Sequence, residues 1–210
     1  MENRTITETF SQTAEWCADT VSQVPSSAWS AHGLGEWDLR ALVGHTSRAL
    51  STVTRAITTP AATIELESAE AYFQTASLIS GTDPNAVRDR GIAAGDELGD
   101  DPATQFRTVL EAALASIRSV DNPIVTSVAG AMTLSQYLRT RVFELVVHGL
   151  DIQTALTPTS LDAITPPPEA ALREALTITQ NLAILRGDGQ QLLFTLTGRK
   201  SLPANYSVLA

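Results

Sequence analysis

The chain has 210 residues, 43% of them hydrophobic but only 5% aromatic. That length supports one substantial domain with a proper core, and a balance rich in alanine and poor in aromatics favours close-packed helices over sheets. A formal net charge of -9 argues against nucleic acid or anionic membrane as a partner, and one cysteine excludes an internal disulfide and a cysteine-rich zinc site.

Residues 5–24 place Ile6, Phe10, Ala14, Cys17, Val21 and Val24 three and four apart, the buried face of a first helix that Pro25 stops. Cys17 on that face reads as a small buried hydrophobe. SSAWSAHGLGEW follows as a loop, after which Asp38 caps a second helix running to about Ile57, with Leu39, Leu42, Ala49, Val53 and Ile57 inward. Shorter helices are expected over Glu67–Ile79 and Asn85–Leu98, broken by GTDP and GDDP. A stronger one runs from Pro102 to Val120, and DNP ends it. Leu134–Leu156 is the most periodic stretch of the chain. TPTSLDAITPPPE is a proline-rich connector to a helix over Glu169–Leu185 and a short one near Gln190–Leu196. The four long helices predict an all-α, up-and-down four-helix bundle over residues 1–160, with a helical extension over 161–210 packed on it. MENRTITETF carries no apolar run, no stretch is long enough to cross a bilayer, and a cytoplasmic location is expected.

Bundle cores host metal sites built from side chains on facing helices. Glu144 and His148 lie four apart in the most periodic helix and so project from one side, where they can share a ligand. His45 sits on the inward stripe of the second helix, and a core histidine needs a partner for its ring nitrogens, either a hydrogen bond or a metal. Together the three make a two-histidine, one-carboxylate set with room for exogenous ligands. That is the arrangement of catalytic zinc, with iron, manganese and nickel open on the same ligands. Asp151, three residues after His148, is either a surface acid or the acceptor of the second ring N–H of His148. His32 reads as an exposed loop residue. Arg139 and Arg141 read as salt-bridged surface residues or as anion binders, and Trp29 and Trp37 as packing the loop against the bundle.

The segments GLGEWDLRALVGHTSRAL (residues 33–50) and TRVFELVVHGLDIQTAL (residues 140–156) resemble the mycothiol-dependent maleylpyruvate isomerase family. The closing LLFTLTGRKSLPANYSVLA is also similar to the ends of many of its members. The metal-binding domain of that family is a DinB-like four-helix bundle. Its pattern implies that the histidine of the tryptophan-led second helix and the glutamate and histidine of the later one carry the metal, here His45, Glu144 and His148. The resemblance further implies a low-molecular-weight thiol, mycothiol or a similar one, as cosubstrate with its sulfur at the metal, where coordination holds it as a thiolate. The activity implied is either an isomerase, in which the thiolate adds to a double bond, permits rotation and leaves, or a thiol S-transferase acting on a small electrophile. The characterised isomerase type resembles a two-domain protein whose C-terminal domain is like sterol carrier protein, and the shorter extension here departs from it. The alternative is a non-enzymatic metal-binding or stress-response bundle in which the ion ties two helices together. Monomer and homodimer both stay open.

Overall fold

The computed structural model describes residues 2–81, 84–156 and 165–209. Among these are eight α-helices: α1 (Glu2–Ser22), α2 (Leu39–Ile57), α3 (Ala69–Gly81), α4 (Pro84–Glu97), α5 (Pro102–Arg118), α6 (Leu134–Leu156), α7 (Glu169–Leu185) and α8 (Gly189–Leu196). Their starts follow local chemistry. Asp38 accepts from Ala41 N at 2.8 Å and caps α2, while Asp101 accepts from Thr104 N, with Pro102 in the first turn of α5, where its missing N–H is no loss. Asn122 Oδ1 accepts from Ser135 N at 2.7 Å at the start of α6.

Two short antiparallel hairpins interrupt the expected loops. The expected loop before α2 contains β1 (His32–Leu34) paired with β2 (Trp37–Asp38), and β3 (Ile124–Thr126) pairs with β4 (Ala131–Thr133) directly ahead of α6. With two or three residues per strand there is too little alternation for a period of two to register.

α1 and α2 each pack on both α5 and α6, so α1 and α2 stand across the bundle from one another. Phe10, Leu42, Leu50, Phe106, Leu110, Leu138 and Leu145 are fully buried between them, each worth about 1.5–3 kcal/mol of burial. α4 lies along α2 at a distance only glycine allows: a Cβ on Gly44 would stand 2.1 Å from Gly95 N. α7 lies on α6 and α1 and sends Ala171, Ala175, Ile178 and Leu182 into the same core, whereas α8 rests on α7 and buries no residue. The expected boundary near residue 160 lies outside the described residues. No helix among them is long and apolar enough to cross a membrane.

Candidate metal centre

The side-by-side packing of α2 and α6 decides where the candidate ligands meet. His45 projects from α2 between the buried Leu42 and Ala49, and Glu144 and His148 project one turn apart from α6. Glu144 Oε2 stands 3.3 Å from His148 Nε2 and 3.9 Å from His45 Nε2, and one ligand atom from each residue falls within 4.8 Å of the others. No fourth His, Cys, Asp or Glu joins this group among the described residues. The imidazoles meet edge to face, centroids 4.9 Å apart.

The donor atoms suit a divalent ion. With bonds of about 2.0–2.2 Å, neighbouring ligand atoms of a tetrahedral zinc shell stand about 3.4 Å apart, close to the two distances to Glu144. His45 supplies an independent sign. Its Nδ1 is buried with no hydrogen-bond partner, and its Nε2 is too far from Glu144 for a hydrogen bond. His148 is held differently: Asp151 Oδ2 lies 3.0 Å from its Nδ1, which leaves Nε2 to face Glu144. A carboxylate behind a ligand histidine fixes its tautomer and raises its basicity.

Burial and charge act on the three side chains in different senses. Burial alone would raise the Glu144 carboxyl, but the hydrogen bond and charge of His148, with Arg141 and His45 beyond, hold it down to about 2. Burial would lower His148, yet Asp151 and Glu144 push it up to about 9. Burial drives His45 down to about 4, reinforced by the positive His148, Arg48 and Arg141 against the opposing pull of Glu144. Without an ion the cluster is therefore a carboxylate, a protonated imidazole and a neutral imidazole. A metal cation would take the place of the His148 proton.

The remaining candidates separate cleanly. Cys17 is fully buried, and burial pushes its thiol up to about 12, so it is no nucleophile. His32 is exposed on β1. Arg139 is half-buried and tied to Glu174 of α7 and Glu70 of α3, which makes it a tether between helices. Arg141 corrects the surface assignment: it is buried, its guanidinium 5.1 Å from the Tyr72 ring centroid and 4.9 Å from that of Tyr137, with Nε donating to Thr140 Oγ1. Its position one turn before Glu144 and one turn after Tyr137 was readable, but the Tyr72 ring that covers it was not, because Tyr72 belongs to α3.

A family model of the mycothiol maleylpyruvate isomerase N-terminal domain matches residues 10–153. The chain belongs to that family. The maleylpyruvate isomerase N-terminal domain thus extends from α1 to near the end of α6, takes in the middle helices, and holds His45, Glu144, His148 and Asp151. It stops short of α7 and α8. Comparisons with curated proteins and with solved structures return no match.

Proposed function

We propose that this family member is a divalent-metal-dependent enzyme, with zinc the expected ion, that activates a low-molecular-weight thiol such as mycothiol toward a small electrophile. It would act as an isomerase of the maleylpyruvate type or as a thiol S-transferase. The observation that carries the reading is the His45–Glu144–His148 cluster itself: three donor atoms within 4.8 Å, brought together from two helices, with no fourth His, Cys, Asp or Glu joining them among the described residues. The ion, when bound, would supply a Lewis acid that keeps a thiol sulfur ionised at neutral pH. In this reading His45, Glu144 and His148 hold the ion from two helices, and Asp151 keeps the His148 Nε2 lone pair directed inward. The buried charge of Arg141 adds to the influence of His148 in keeping Glu144 ionised. Membership of the family supports the choice of thiol.

The test is elemental mass spectrometry of dialysed wild-type protein beside His45→Ala and His148→Ala, followed by assays of thiol-dependent loss of maleylpyruvate and of a model electrophile. About one metal ion per wild-type chain, lost in both variants, together with thiol-dependent turnover, is the expected result. A metal that raises the melting temperature while no thiol binds or reacts would leave the non-enzymatic alternative.

A further inference from the structure

The tryptophan that leads into α2 is pinned from the side of α4. Trp37 Nε1 donates to the Arg88 carbonyl at 3.0 Å, and its ring fills the space beside Gly91, where a Cβ would come within 2.7 Å of Cε2 and Cζ2. α4 is itself locked to α2. Besides the close approach of Gly44 and Gly95, Arg40 donates from its two terminal nitrogens to the carbonyls of Gly95 and Gly99, each at 2.9 Å. The indole then stacks on the imidazole of His45, ring centroids 4.6 Å apart and planes 32° from parallel.

This contact matters because the two imidazoles of the cluster are oriented by different means. His148 has the carboxylate of Asp151 at 3.0 Å, whereas the buried nitrogen of His45 has no partner to fix its ring. A hydrogen bond normally performs that duty for a ligand histidine. At His45 the neighbouring ring that remains to do so is an indole, held by the helix behind it.

We propose that Trp37 is a positioning residue for His45, and that α4 sets the metal affinity of the cluster through it, with Gly91 as the socket that seats the indole. This rests on the metal reading above. A side chain added at position 91 would displace the indole that stacks on the imidazole, so a change on a helix with no ligand of its own would alter metal binding. The coupling runs through one contact, and removing the indole abolishes it.

The test is a double-mutant cycle read as zinc affinity by competition with a chromophoric chelator, with helicity by circular dichroism as the check on folding. Gly91→Ala is expected to weaken zinc binding about tenfold in the otherwise wild-type chain, as loss of a partner behind a ligand does, and by less than about twofold in the Trp37→Ala background. Trp37→Ala alone is expected to lose about tenfold, and Trp37→Phe, which keeps a ring against the imidazole, to stay within about threefold of wild type. Equal losses from Gly91→Ala in both backgrounds, or wild-type affinity in folded Trp37→Ala, overturn the proposal. Should Gly91→Ala fail to fold, the Trp37 pair decides: a weak alanine variant beside a strong phenylalanine variant upholds it, and equal affinities overturn it. A wild-type chain that takes up no zinc defeats the metal reading and this inference with it, whereas zinc-binding wild type matched by Gly91→Ala defeats this inference alone.

Discussion

Stripped of metal, the protein should lose stability between pH 6.5 and pH 9, and His148 should be the cause. Its pKa rises from 6.5 to about 9 on folding, because Asp151 and Glu144 favour the imidazolium more than burial disfavours it. A pKa raised by folding contributes stability that is full below the unfolded value and fades as pH climbs through the folded one. At 1.36 kcal/mol per unit, the span amounts to about 3 kcal/mol at most. For a domain of this size that is roughly 6–12 °C of melting temperature. His45 works in the opposite sense: its pKa falls to about 4, so the unfolded chain binds a proton the native state refuses, and stability declines as pH drops from 6.5 toward 4. Thermal melts of chelator-treated protein across this range should therefore peak near pH 6.5. His148→Gln should flatten the alkaline limb, and His45→Gln should ease the acid one. A flat melting temperature from pH 6.5 to 9 in metal-free wild type, or an alkaline slope that survives in His148→Gln, would refute the reasoning.

Two further outcomes follow from the geometry. His148→Ala should abolish most metal binding, while Asp151→Ala, which removes only the partner of Nδ1, should weaken it about 10–100-fold; chelator competition distinguishes them, and equal affinity in both variants would contradict the arrangement. Gly149→Ala should destabilise the fold by about 1–3 kcal/mol, because the new Cβ would lie 2.3 Å from Cζ3 of Trp16, whose Nε1 donates to Thr165 O. Chemical denaturation measures this, and an unchanged midpoint would show that the indole moves aside freely.

Much of the architecture was legible because long helices announce themselves by period and by caps. Asp38 before the inward run Leu39, Leu42 and Ala49 marked the start of α2, and the unbroken repeat of α6 placed Glu144 and His148 on one side. The inward run of α2 put His45 on its buried stripe, so the gathering of these three needed only that α2 and α6 be neighbours. What stayed hidden depends on contacts between elements distant in sequence. Gly91 and Gly95 look like helix weaknesses until α4 is laid against Trp37 and Gly44. Arg141 looks like a surface charge until the Tyr72 ring of α3 is laid against it. The circuit in which α1 faces α2 across the bundle leaves no trace in helical spacing.

That circuit has a consequence for how the cluster is acquired. His45 and Glu144 are separated by roughly a hundred positions, so closing the loop between them carries an entropy penalty that local helix formation does nothing to relieve. α6 alone offers two donors, and the third arrives only when α2 has docked along it. An ion held by the three side chains would act as a staple across that span. In the chain-entropy picture a cross-link closing so long a loop is worth about 4–5 kcal/mol against the unfolded chain. If the cluster holds an ion, its retention would therefore gauge bundle closure as a whole, because the site is complete only while α2 lies along α6.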